Sequence, residues 1–255
     1  MACLELNHTS SVLGKTMPVH VILPEAPPLP QDERYPALWM FHGRGETSET
    51  WLQHDQLPEL AETYGCALVM PTVDNTRYAD AVNGGQNWTY VSRELPDELE
   101  ARLPLATTRE RRFATGFSIG GLCALKLGIA RSERFAAVCS LSGALHLSYP
   151  DLLASAADNP DRVRWLKDIY GPGPDFAKSE DRLVETAKAK CQSGVTFPRI
   201  QLRCGRQDGS SYLNRQAQTL LRQADVHVDY QKTEGRHDRA YCDKELAAVF
   251  RFLAL

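Results

Sequence analysis

The stretch with the most chemistry in it is Gly116-Phe117-Ser118-Ile119-Gly120-Gly121, which sets a serine hydroxyl between glycines two residues away on either side. A serine on a tight turn from strand to helix must adopt a strained backbone, and those flanking positions must be tiny to avoid collision. The same turn aims the backbone N–H of Ile119 at the place where an oxyanion develops during attack on a carbonyl. A hydroxyl is a poor nucleophile unaided, so the pattern gains meaning only with an acid and a base downstream, in the order Ser, Asp or Glu, His. Asp208, in Cys204-Gly205-Arg206-Gln207-Asp208-Gly209, and His237, in Glu234-Gly235-Arg236-His237-Asp238, arrive in that order, each after a predicted strand.

Each of these residues has a bland reading, as a glycine turn or a loop cap, and each has competitors. Asp225 and Asp229 belong to the last predicted strand or its entry, and Asp238 adjoins the histidine, where local geometry makes orienting the imidazole hard. Among the other histidines, His227 falls within the last predicted strand and His20 in an N-terminal hairpin, which makes both ordinary sheet residues. His8, His42, His54 and His146 complete the set. A second loop, Phe41-His42-Gly43-Arg44-Gly45, can turn a backbone N–H toward the serine, with Arg44 the favoured donor beside Ile119 and Gly43 the alternate. His42 reads as a residue that holds this loop, because the chemistry needs one base only.

These residues need a scaffold that brings strand ends together. Leu4/Leu6 and Val19/Val21/Leu23 alternate as two strands of a hairpin across Gly14-Lys15, followed by a proline-rich connection over 24–36. Strands are then expected at 35–41, 67–70, 112–115, 135–141, 200–204 and 226–230. Helices are expected at 51–64, 91–103, 119–131, 212–223 and 241–253. Such alternation implies a mostly parallel sheet with ligands bound at the strands' C-terminal ends. Residues 143–197 break the rhythm, with helical pieces around Trp165 and over 181–191 and a turn at 171–174, and read as a cap-like insertion in a single domain spanning 1–255.

Bulk properties exclude other classes. A net charge of −3 offers no basic field for a nucleic acid or an anionic membrane. No apolar run approaches the roughly 20 residues that span a bilayer, and the N-terminus shows no secretory pattern, which implies a cytoplasmic protein. The seven cysteines include no Cys-x-x-Cys, and Cys66, Cys123, Cys139 and Cys204 sit singly in apolar stretches as reduced core residues. Metal-binding and phosphate-loop signatures are absent, so no cofactor is called for. The partner expected is a small-molecule ester, and homo-oligomerisation is left open. Of the aromatic residues Trp88, Tyr90, Tyr149, Trp165 and Tyr170, core packing accounts for most; Trp88, in the loop Asn83-Gly84-Gly85-Gln86-Asn87-Trp88, is the one placed for substrate binding.

The chain resembles the esterase D and tributyrin esterase branch of the α/β-hydrolases, which includes feruloyl and acetylxylan esterases. The likeness runs through LWMFHGRGETSETW (38–51), VMPTVDNTRY (69–78), the helix 94–103, the segment from GFSIGG to SLSGAL, LRCGRQD, and GRHD. It implies the α/β-hydrolase fold, with helices on both faces of a mostly parallel sheet. It also implies serine esterase activity on short-chain acyl or hydroxycinnamoyl esters, with Ser118, Asp208 and His237 as the triad. By the same resemblance the His42-Gly43-Arg44 loop supplies the oxyanion hole and Trp51 packs it. One departure is Arg44-Gly45-Glu46, more polar than the small or apolar residues common there. The alternatives are a thioesterase of the S-formylglutathione hydrolase kind or an acyltransferase with the same triad, and, more distantly, a non-catalytic binding module.

Overall fold

The computed structural model describes residues 2–25, 33–172 and 180–253. The proline-rich connection and the 171–174 turn lie partly outside the described residues. Strands β1 (Ala2–Ser10) and β2 (Lys15–Leu23) form the expected antiparallel hairpin. After it come β3 (Ala37–Phe41), α1 (Glu49–Leu52), α2 (Leu57–Tyr64), β4 (Ala67–Pro71), α3 (Asn87–Thr89), α4 (Leu95–Arg102), β5 (Arg112–Phe117) and α5 (Ile119–Ala130). Next are β6 (Ala137–Leu141), α6 (Tyr149–Ala154), α7 (Pro160–Tyr170) and α8 (Leu183–Gln192), and last β7 (Arg199–Gly205), α9 (Ser211–Arg222), β8 (Asp229–Thr233) and α10 (Arg239–Leu253). The sheet order is β1-β2-β4-β3-β5-β6-β7-β8, and every pairing from β4 through β8 is parallel.

The period-two alternation of the central strands builds two apolar faces. Ala37, Trp39 and Phe41 of β3 join one core with Leu122 and Leu125 of α5 and Leu221 of α9. Leu38 and Met40, pointing the other way, join Leu57 of α2 and Leu246, Val249 and Phe250 of α10. Burial on both faces is why these strands read as continuous hydrophobic runs.

Proline explains two departures from the expected helices. The helix foreseen over 51–64 is two, because Pro58 has no N–H and its ring would collide with the carbonyl four residues back, at His54. The helix foreseen over 91–103 starts earlier, at Asn87, and passes through one π-turn at Tyr90–Glu94 just before Pro96. The carbonyl that Pro96 cannot reach, that of Ser92, accepts instead from the Arg134 guanidinium at 3.2 Å.

Two other boundaries move. The last strand begins at Asp229, so His227 lies outside it, although Val226 and Val228 are buried as their alternation required. Within 143–197, Tyr149, Leu152, Leu166 and Ile169 of α6 and α7 form a small core of their own. Leu183 and Ala187 of α8 instead belong to the sheet core with α5, so only the first two helices stand apart from the sheet.

Candidate functional site

Strand β5 ends at Phe117 and α5 begins at Ile119, leaving Ser118 alone at the turn with φ 57° and ψ −116°. A non-glycine residue there carries strain of about 1–3 kcal/mol, which persists only because the surroundings over-determine it. The flanking glycines show how. A Cβ on Gly120 would stand 2.0 Å from the Phe41 carbonyl oxygen, and one on Gly116 would stand 2.4 Å from the Gly120 carbonyl. Helix α5 therefore seats directly on the end of β3, and the turn between has one shape. The Ser118 N–H donates to Leu141 O at 3.0 Å and its carbonyl accepts from Ala144 at 3.0 Å, tying the turn to the end of β6.

Asp208 and His237 come from the loops after β7 and β8, which are stitched together. Gln207 N–H donates to Gly235 O at 3.0 Å, and Gly235 N–H donates to the Gln207 side chain at 2.9 Å. Gly205 must be glycine for this, since a Cβ would lie 2.2 Å from Gly235 O. The result is a continuous chain: Ser118 Oγ lies 3.1 Å from His237 Nε2, and His237 Nδ1 lies 2.9 Å from Asp208 Oδ2. The other Asp208 oxygen accepts the Ser210 N–H at 2.6 Å. Burial pushes the Asp208 carboxyl up, but His237, the neighbouring Ser142 hydroxyl and the Ser210 amide together outweigh it and hold the group below the usual carboxylate range. The Phe117 ring packs on the imidazole at 4.6 Å between centroids, limiting its swing.

Several of the rival residues are engaged elsewhere, whereas His146 lines the cleft itself. Asp238 accepts the Tyr241 N–H at 2.9 Å in the first turn of α10. His8 bonds Glu98, His20 bonds Ser48 and His54 bonds Asp243. His42 spans its loop, with Nδ1 donating to Gly43 O at 2.8 Å and Nε2 accepting from Val73 N–H at 3.1 Å. Both ring nitrogens are thus used, and burial holds its pKa below the ordinary histidine value. Trp51 is buried beside this region at 2 % exposure.

The N–H of Ile119, at the head of α5, is among those a helix's first turn leaves without an intrahelical acceptor. Gly43 N–H is already bonded to the Glu46 carboxylate at 2.6 Å, whereas the Arg44 N–H has no acceptor among the described residues. Ser118, Ile119, Arg44 and His237 all line one cleft of about 150 Å³, closed by Ala144, Ser210 and the side chains of Arg77, His146, Arg162 and Trp165. Trp88 is not there. It is 3 % exposed, is the second residue of the helical run that starts at Asn87, bonds Glu180 through its indole N–H, and lies under the Lys126 ammonium at 4.0 Å. Its glycine-rich approach reads as a binding loop, but a cation from α5 covers the ring. Trp165, assigned to core packing from sequence, borders the cleft instead. No local pattern marks Arg77, His146 or Arg162, which arrive from separate loops and helices. Among the described residues no group of His, Cys, Asp or Glu is arranged to hold a metal, and no helix is long and apolar enough to cross a membrane. All seven cysteines are free.

A mostly parallel eight-stranded sheet with a serine at the strand–helix turn defines the α/β-hydrolase fold. The solved structure of fluorophosphonate-binding serine hydrolase F from Staphylococcus aureus, substrate bound, superposes with a TM-score of 0.88 at 22 % identity, covering 100 % of this chain and 98 % of that one. The S-formylglutathione hydrolase from Staphylococcus aureus, as apoenzyme, superposes with a TM-score of 0.84 at 22 % identity, covering 100 % and 99 %. In sequence, the acetyl esterase of Caldicellulosiruptor saccharolyticus is 26 % identical over 268 residues, covering 100 % of this chain and 98 % of that protein. The family model "Esterase: Putative esterase" matches residues 10–253. The chain belongs to this esterase family, and the protein is a carboxylic ester hydrolase.

Proposed function

We propose that the protein hydrolyses short-chain esters through Ser118 as nucleophile, His237 as base and Asp208 as the carboxylate that orients the imidazole. The observation that carries this reading is the unbroken hydrogen-bond chain from Ser118 to His237 to Asp208, at 3.1 and 2.9 Å, opening on a cleft. In the reaction His237 Nε2 takes the Ser118 proton as Oγ attacks the ester carbonyl, and returns it to the departing alcohol. Asp208 fixes the tautomer with Nδ1 protonated and stabilises the imidazolium. Backbone N–H groups of Ile119 and Arg44 meet the tetrahedral oxyanion, with Gly43 set aside by its bond to Glu46. Water, activated by His237, then releases the acyl group. Helices α6 and α7, with their separate core, act as the cap over this site.

The test is Ser118→Ala. Turnover of p-nitrophenyl acetate and butyrate should vanish with the fold intact by circular dichroism, and a fluorophosphonate probe should label wild type at Ser118 and not the variant. Unchanged turnover would refute the assignment. The likeness to an S-formylglutathione hydrolase favours one second reading, a thioesterase using the same residues. A panel of acetyl, butyryl and feruloyl esters beside a glutathione thioester separates the two by kcat/KM.

A further inference from the structure

Three guanidinium groups face the cleft that contains Ser118: Arg44, Arg77 and Arg162. None of them forms an ion pair with a carboxylate among the described residues. Arg77 is the informative one, because it is 3 % exposed. A buried guanidinium without a counter-charge is costly, and a solvated surface arginine does not account for it. Its Nε donates to the Tyr170 hydroxyl at 3.3 Å, which fixes the guanidinium while its terminal nitrogens have no acceptor among the described residues. The backbone there is also forced, with φ of 56° at both Arg77 and Tyr78. Arg162 donates weakly to the Ser155 carbonyl at 3.3 Å and hydroxyl at 3.4 Å, and its buried Nε has no acceptor among the described residues. Arg44 stands at the exposed edge, 5.8 Å over the Trp165 ring.

We propose that this cleft selects esters that carry a compact anionic group, a carboxylate or a phosphate, close to the scissile bond, with Arg77 and Arg162 as the specificity-determining residues. The fork of a guanidinium matches either oxyanion with two parallel N–H donors. Arg44 adds charge at the entrance, which draws an anionic ester in before it docks. The surroundings are consistent with this field. Burial, then Arg77 and Arg162, push the His146 pKa down to about 4, so that the histidine is neutral when an anion would bind and the positive charge resides on the arginines. Burial, then Arg44 and Arg77, lower that of Arg162 itself. Asp151 acts on His146 in the opposite sense, but less than burial or either arginine. The inference rests on Ser118 being the nucleophile and deepens that reading by naming the substrate class.

The test compares matched esters at low ionic strength. Ethyl butyrate against monoethyl succinate places a carboxylate on the acyl side. Methyl 4-acetoxybenzoate against 4-acetoxybenzoate places it on the leaving group, and phenyl acetate against 4-acetoxyphenyl phosphate places a phosphate there. In at least one pair kcat/KM should favour the anionic ester by about ten- to a hundredfold, the scale of a charge-assisted hydrogen bond. That preference should shrink as salt is raised, and Arg162→Gln and Arg77→Gln should each reduce the ratio at least fivefold. The neutral partner is the internal reference, so partial loss of folded protein cancels, and Arg162→Gln suffices if the buried Arg77 variant does not fold. Anionic esters favoured by less than threefold in all pairs, or a ratio that survives in every folded variant, overturns the proposal. Neutral esters turned over without anionic preference leave the serine hydrolase reading standing. Absence of all turnover, with no fluorophosphonate labelling of Ser118, would sink both.

Discussion

Gly120→Ala is the most informative single change in the scaffold. The added methyl would stand 2.0 Å from the Phe41 carbonyl oxygen, 2.5 Å from its carbon and 2.7 Å from the His42 carbonyl oxygen. All three are backbone atoms, so no side chain can rotate away. Reaching the 3.0 Å below which such contacts are essentially unknown requires α5 to lift from β3 by about 1 Å. That movement separates Ser118 and the Ile119 N–H from the His42-Gly43-Arg44 loop, and a displacement of this size can lower turnover by about a hundredfold. Stability should fall as well. Overpacking costs roughly 1–3 kcal/mol, against roughly 1 kcal/mol gained from replacing a helical glycine by alanine. The control is Gly128→Ala in the same helix, whose methyl meets a side chain, Val138 Cγ2, at 2.6 Å. Both variants would be assayed for kcat/KM on p-nitrophenyl acetate, for fluorophosphonate labelling rate and for urea midpoint. Gly120→Ala should lose activity and labelling together, while Gly128→Ala should lose only some stability. Wild-type turnover in Gly120→Ala would refute the argument that this contact sets the geometry of the serine.

Further outcomes follow from the same contacts. Asp208→Asn should lower kcat by roughly four orders of magnitude through the wrong histidine tautomer. Asp238→Asn should be nearly silent, since asparagine caps α10 as well as aspartate does; a reversed result in the same ester assay would exchange their roles. His146 has a folded pKa below its unfolded value, so its contribution to stability is full above about 6.5 and declines as pH falls toward about 4. His146→Asn should therefore flatten the loss of urea midpoint between pH 7 and pH 4.5, and an unaltered slope would show that another group carries it. Arg112 pairs with Glu100 through two bonds at 2.9 and 2.5 Å, with both side chains buried. Arg112→Met should cost about 3–5 kcal/mol in denaturant unfolding by removing both hydrogen bonds to the buried carboxylate and leaving it Arg134 at 4.0 Å, and adding Glu100→Gln should recover part of it.

The serine turn was legible because everything that shapes it is local: a strand, a hydroxyl, two small neighbours and a helix within a dozen residues. The loops bearing Asp208 and His237 were legible by their order and by their places after strands. Boundaries set by a distant partner were not. Val226 and Val228 alternate like strand residues and are buried like them, but the ladder with β7 begins only where Asp229 meets Gln201. Pro58 and Pro96 did carry a local signal that splits or distorts their helices, and hydrophobic periodicity alone overrides it wrongly.

Trp88 and Trp165 show where the sequence stops informing the site. A tryptophan after two glycines reads as a loop aromatic open to a ligand, and one in an amphipathic helix reads as core. Which of them faces the cleft depends on what covers each ring. Lys126 covers Trp88, placed there by the single register that Gly116 and Gly120 allow α5 against β3. Trp165 is held beside the cleft by its indole N–H, which donates to Asn75 O at 2.6 Å in the loop after β4. That same loop turns through the two left-handed residues that deliver Arg77. On the proposed reading, substrate selection is built from the contact between α7 and the loop after β4, two segments separated by about ninety positions, while the proposed chemistry resides in turns that the sequence states directly.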